Sequence, residues 1–136
     1  MINKEKIPVS GKIQTEQFGE VTYNPEHIIN FPSGLLGFEK VKDFLLIKTD
    51  DELFYWLNAI ENPELCFPLV GTRIIDESFP SEEGHEAFGI VTLNQDPLKI
   101  IVNLKAPVYI NQDNKKGFQK VLEDEKYPLN YHLFIE

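Results

Sequence analysis

The side chains best suited to chemistry are three histidines, one cysteine and 22 carboxylates. Their spacing decides what they can do together. His27, His85 and His132 lie far apart, and neither a His-x-x-x-His pair nor a Cys-x-x-Cys occurs, so a zinc site has no support. Cys66 sits in the apolar run Leu65-Cys66-Phe67-Pro68-Leu69, where burial raises a thiol pKa and makes the group inert. Adjacent carboxylates such as Asp50-Asp51 and Glu82-Glu83 carry no signature of glycosidase geometry, which depends on spatial separation. No Gly-x-x-x-x-Gly-Lys and no Gly-x-Gly-x-x-Gly is present, so nucleotide phosphates have no cradle. His132, between Tyr131 and Leu133, reads as a surface histidine. His85 stands among Glu82, Glu83 and Glu86, which could hold it protonated as a weak pH-responsive group. The expectation is a protein without catalytic residues, metal or cofactor.

Binding chemistry is better represented. Phe31-Pro32-Ser33-Gly34-Leu35-Leu36-Gly37-Phe38-Glu39 places turn formers between large apolar residues, which requires a tight turn with positive φ at one or both glycines. Such a loop either plugs a barrel end or displays an apolar patch; a mixture would put Phe31 and Phe38 inward and Leu35 or Leu36 outward. In Asn103-Leu104-Lys105-Ala106-Pro107-Val108-Tyr109-Ile110-Asn111, Pro107 cannot donate to a ladder and belongs at a strand start, bulge or edge. The asparagines at its ends suit backbone capping. Residues 76–86 hold five carboxylates (Asp76, Glu77, Glu82, Glu83, Glu86) and no Lys or Arg, more than half of the net charge of −9. They read as a solvated, mobile loop, as an acidic surface for a basic partner, or as both. Lys115, Lys116 and Lys120 around Phe118, beside Glu123-Asp124-Glu125, read as a mixed solvated face.

The elements that must position these residues are mostly strands. A chain of 136 residues is one domain with one modest core, residues 1–10 being a loose N-terminal extension. Hydrophobic residues at 42% and charged residues at 26% are globular values. Runs of β-branched and aromatic residues predict strands near 12–18, 21–23, 28–31, 44–48, 54–60, 66–75, 87–93, 99–104, 108–110 and 129–135. Nine prolines and eight glycines interrupt the chain too often for helices of the usual length of about 11–12 residues. Phe118, Val121 and Leu122 have helical spacing but read equally as strand, and Asp50-Asp51-Glu52 reads as a turn. The fold class expected is mostly β: a small antiparallel β-barrel-like domain with at most short helices. A net charge of −9 opposes direct binding of nucleic acid or anionic lipid. The lone cysteine, and the lack of a signal-peptide run or a membrane-length apolar stretch, predict a cytoplasmic location.

With these residues in view, the chain resembles the bacterial flagellar assembly factor FliW family from about Gln17 to Phe134. Ile29 to Glu39 is similar to the family's Phe-x-x-Gly-[Leu/Ile]-Pro-Gly-Phe signature, and Asn103 to Asn111 to its Asn-Leu-x-Ala-Pro-Ile-x-Ile-Asn signature. Leu36 stands where proline is usual, and Asn58 where glutamine is common. The resemblance implies a non-catalytic β-barrel-like fold that binds flagellin and the translational regulator CsrA, is monomeric when unbound and couples flagellin level to translation. It implies partner-binding residues at Phe31, Pro32, Leu35, Leu36, Phe38, Glu39, Asn58, Asn103, Ala106, Pro107 and Asn111, with the acidic Asp76, Glu77, Glu82, Glu83 and Glu86 adding an electrostatic field. Two other classes fit a small β-barrel. One is an enzyme built on a carboxylate or His85; the other is an oligonucleotide-binding barrel with Phe18, Tyr55 and Trp56 as stacking residues.

Overall fold

Short β-branched and aromatic runs bounded by Gly, Pro, Asn and Asp become ten strands among residues 11–48 and 53–135, which the computed structural model describes. They are β1 (Gly11–Thr15), β2 (Gly19–Tyr23), β3 (Ile28–Asn30), β4 (Asp43–Lys48), β5 (Phe54–Ala59), β6 (Cys66–Gly71), β7 (Glu86–Thr92), β8 (Ile101–Asn111), β9 (Lys116–Gln119) and β10 (Tyr131–His132). The expected N-terminal extension 1–10 and the turn at Asp50-Asp51-Glu52 lie outside the described residues.

β1 and β2 form a separate hairpin, and the other strands run β10-β8-β7-β6-β5-β4-β3-β9. β9 also pairs with β8, so seven strands close on themselves and leave β10 as an outer strand on β8. Pairing is antiparallel except at β3–β9, which meet in parallel at Asn30 and Lys116. Closure removes the exposed ladder edges that invite aggregation. The helical elements among the described residues are three-residue 3-10 turns at Pro25–His27, Thr72–Ile74 and Pro97–Lys99. None of the described helices is long and apolar enough to cross a membrane.

β8 makes closure possible because its two halves have different neighbours. Ile101 and Val102 lie between β7 and β10, whereas Val108 to Ile110 lie between β7 and β9. The register passes from Phe88↔Val108 to Ile90↔Asn103, so Leu104-Lys105-Ala106-Pro107 bulges opposite the single residue Gly89. A Cβ on Gly89 would fall 2.4 Å from Val102 Cγ1, which accounts for glycine there. Pro107 therefore sits in a bulge, and the two strands expected at 99–104 and 108–110 are one.

The core has two parts. Ile29, Phe31, Leu35, Phe44, Leu57, Leu69, Phe88, Val108 and Ile110 form one buried cluster. Val70, Phe79, Val91, Ile100, Val102, Leu104, Leu122 and Tyr127 form the other. Neighbours Leu69 and Val70 belong to different clusters, as side chains on opposite faces of a strand do. The irregular chain after β9 supplies Leu122 and Tyr127 to the second cluster.

Four further predicted elements change. Residues 118–122 are not helical: β9 pairs with β8 through Gln119, and the Leu122 N–H then bonds to the Lys105 carbonyl at 2.7 Å. The strand predicted over 66–75 stops at Gly71 and gives way to a 3-10 turn. That predicted over 129–135 shortens to Tyr131–His132. The N-terminal strand ends at Thr15, whose Oγ1 accepts the Phe18 N–H and donates to the Gly19 carbonyl to close the hairpin.

Candidate partner-binding surface

The Phe31–Glu39 loop leaves β3 and returns to β4 through two tight turns. The Gly34 N–H donates to the Phe31 carbonyl at 2.9 Å, and the Phe38 N–H to the Leu35 carbonyl at 2.8 Å. Gly34 and Gly37 both have positive φ, at 66° and 86°. Gly34 is doubly constrained, since a Cβ there would lie 2.7 Å from the Phe38 and Glu39 carbonyl oxygens. Lys42 donates from Nζ to the Pro32 carbonyl at 3.0 Å, and the Phe31 N–H reaches the Lys42 carbonyl at 2.7 Å. Glu39 Oε2 accepts the Gly37 N–H at 2.9 Å. That bond, then the N–H of Glu39 itself, holds the Glu39 carboxyl below the usual carboxylate range.

This framework sorts the apolar side chains. Phe31 and Leu35 are buried, whereas Leu36 is 56% and Phe38 39% exposed. Of the arrangements the sequence left open, the mixture with Phe38 inward is not the one formed: Phe38 lies outside, edge-on to the half-buried Phe67 at 5.3 Å. Pro32 and Glu39 are exposed beside it. Phe31 and Leu35 form the buried plug beneath the tip.

The second signature is scaffold. Asn103 Oδ1 accepts the N–H groups of Lys105 and Ala106, both at 3.0 Å, and so holds the bulge. Asn111 Oδ1 accepts the Asp113 and Asn114 N–H groups at 2.9 and 3.1 Å and closes the β8–β9 turn. Ala106 and Pro107 are buried. Asn58 is also fully buried; its Nδ2 donates to the Ala59 and Pro63 carbonyls, both at 3.0 Å. Asn58, Ala106 and Pro107 are thus buried supports of the barrel, and the Oδ1 acceptors of Asn103 and Asn111 are engaged with the chain's own backbone. A residue the contact set omitted joins the two signatures: Gln119 Oε1 accepts the Leu36 N–H at 2.8 Å, and its Nε2 donates to the Ala106 carbonyl at 2.9 Å. Local sequence does not mark it, because its two partners lie 83 and 13 positions away along the chain.

The acidic segment is solvated over most of its length, as expected, and is anchored at specific points. Phe79 is 3% exposed and packs edge-on against Tyr127 at 4.7 Å. Tyr109 donates its hydroxyl to the Pro80 carbonyl at 2.9 Å. Asp76 accepts the Tyr127 hydroxyl at 3.0 Å and the Ser78 N–H at 2.9 Å, and lies 3.3 Å from Lys126 Nζ. The Ser78 N–H, then the Tyr127 hydroxyl, hold the Asp76 carboxyl below its ordinary range. Glu82 meets Lys120 at 3.6 Å. Glu77, Glu83 and Glu86 are exposed.

Each histidine is engaged locally. His27 Nδ1 accepts the Asn24 N–H at 3.2 Å; His85 Nδ1 lies 2.7 Å from the Glu83 carbonyl and His132 Nδ1 3.0 Å from that of Leu98. The His85 ring packs edge-on against Phe118 at 5.2 Å. Burial pushes the Cys66 thiol up to about 11, as its apolar setting predicted. Among the described residues no group of three His, Cys, Asp or Glu could hold a metal ion. The proposed stacking residues are in contact with other rings: Phe18 with Trp56 at 5.8 Å, and Tyr55 with Phe88 at 5.1 Å. Lys116 bonds Asn30 and Lys120 pairs with Glu82, so those lysines do not assemble a basic groove.

Known proteins are similar to this chain in sequence and in fold. The sequence model of the family described as FliW protein matches residues 12–133. The flagellar assembly factor FliW of Caldicellulosiruptor saccharolyticus is 35% identical, with 90% of each chain covered. That of Ruminiclostridium cellulolyticum is 33% identical over 91% of this chain and 95% of its own. A crystal structure of the flagellar assembly factor FliW superposes with a TM-score of 0.84 at 25% identity, covering 93% of this chain and 99% of the other.

Proposed function

The chain belongs to the flagellar assembly factor FliW family, and on that premise we propose that it is a cytoplasmic, non-catalytic binding module for flagellin and for the translational regulator CsrA. It is monomeric when unbound. The observation that carries the reading is the locked loop that holds Leu36 and Phe38 in solvent above a buried plug. Large apolar side chains on a preorganised backbone are anchors for a protein partner, because little ordering remains to oppose binding. The acidic segment supports the CsrA half of the reading. An RNA-binding regulator carries a basic surface, so a partner of net charge −9 is attracted to it and, once docked, repels incoming phosphates. Flagellin occupying the module releases CsrA; flagellin leaving by export frees the module to sequester CsrA and relieve repression.

Titration calorimetry against the cognate flagellin and, separately, the cognate CsrA, at low and high salt, tests this. The expected result is binding to both, strongly salt-sensitive for CsrA, with Leu36→Asp abolishing at least one interaction while the urea midpoint stays within error. Binding to neither partner would overturn the reading and leave family membership and fold standing.

A further inference from the structure

Leu36 is the most exposed large apolar residue of the tip, and its N–H has no strand ladder to join. It donates instead to Gln119, 83 positions away in the chain. Gln119 closes β9 and is half-buried, and its other amide atom is fixed by the Ala106 carbonyl in the β8 bulge. A primary carboxamide is suited to this task because it offers an acceptor and a donor on one rigid plane. A carboxylate supplies only the acceptor; an alkyl group supplies neither. The bulge is itself held by the Asn103 cap and by the Lys120 N–H on the Pro107 carbonyl at 3.1 Å. The tip is therefore tied to a buried part of the barrel through one side chain.

We propose that Gln119 is the positioning residue of the partner-binding tip: it fixes the Leu36 backbone, and with it the Gly37-Phe38 turn, in the shape a partner engages. The proposal rests on the reading of that tip as a protein-binding site. Ordering of the tip is then completed on folding rather than on association, and the bond's loss appears as weaker binding with a more unfavourable entropy. The net worth of that one hydrogen bond corresponds to an affinity loss of about threefold to tenfold.

The test uses the whole chain carrying Gln119→Ala or Gln119→Glu, read by amide hydrogen exchange and by calorimetry against the cognate flagellin. Leu36 should exchange at least about tenfold faster in Gln119→Ala and by an intermediate factor in Gln119→Glu, which retains the acceptor. Val108 and Leu57 should keep their protection, which shows that the barrel is intact. Flagellin affinity should fall in the same order. Unchanged Leu36 protection in Gln119→Ala would overturn the positioning role, as would full flagellin affinity despite lost protection. Should the unaltered chain not bind flagellin, the functional reading fails while the exchange data still decide whether Gln119 holds the tip.

Discussion

Asn58 shows how one amide can shape a connection that contains no regular structure. Its Nδ2 bonds two carbonyls on either side of the β5–β6 turn, at Ala59 and Pro63, while Oδ1 is buried without a partner among the described residues. Asn58→Ala leaves both carbonyls short of a donor but also removes the unpaired oxygen, so the net cost is about 1–3 kcal/mol. Urea unfolding measures it, and a loss below about 0.5 kcal/mol would contradict the supporting role. Asn103 offers a cleaner contrast. Asn103→Ala removes the acceptor for two N–H groups in the bulge and should cost about 1–2 kcal/mol, whereas Asn103→Asp keeps an acceptor and should cost less. Equal losses in the two variants would show that side-chain volume, not the cap, matters at this position. Sequence located both asparagines but not the direction in which they face. Asn103 was legible as a cap because its own chain turns at Pro107; Asn58, in an apolar strand, gives no local sign that its amide points inward.

Elements fold here by anchoring irregular chain as much as by forming strands. The acidic segment from Asp76 to Glu86 docks through Phe79, which lies against Tyr127 in the second core cluster. Phe79→Ala should cost about 3 kcal/mol or more and free the segment. A Glu-specific protease should then cut after Glu82 or Glu83 much faster than in the unaltered chain; equal cleavage rates would show that the segment is held without Phe79. Asp76 adds a pH dependence with a definite sign. Its carboxyl is depressed in the folded state by the Ser78 N–H first and the Tyr127 hydroxyl second. The stabilisation is therefore present above the unfolded carboxyl pKa of about 3.9 and is lost as pH falls through the lower folded value. Thermal melts at successively lower pH, from about 5 downward, should show a steeper loss of Tm in the unaltered chain than in Asp76→Asn. Parallel slopes would exclude Asp76 as the titrating group. Most strands were legible from runs of β-branched and aromatic residues, such as Phe44 to Lys48. The anchoring was not, because one phenylalanine among five carboxylates finds its partner only after the chain has folded.

At the scale of the molecule, closure and charge govern what the surface can meet. The joint between β3 and β9 is a single parallel pair, Asn30 with Lys116, reinforced by Lys116 Nζ on Asn30 Oδ1 at 3.1 Å. A barrel rather than an open sheet was legible only as a class, since so brief a long-range contact leaves no periodic trace. Closure puts the apolar tip on the β3–β4 connection and the acidic segment on the β6–β7 connection of one rigid body. The net charge of −9 acts at long range, whereas Leu36 and Phe38 act only on contact. These two kinds of interaction should therefore separate kinetically. Reversing the exposed Glu77, Glu83 and Glu86 to lysine weakens the field without touching the Asp76–Lys126 or Glu82–Lys120 pairs. Stopped-flow association with CsrA at low salt should slow by about tenfold, and its dependence on ionic strength should flatten. If flagellin docks on the apolar tip as proposed, its dissociation should be unchanged, because such a contact is lost at a rate set by packing rather than by steering. If the triple reversal left CsrA association as fast and as salt-sensitive as before, Glu77, Glu83 and Glu86 would be excluded as the source of steering.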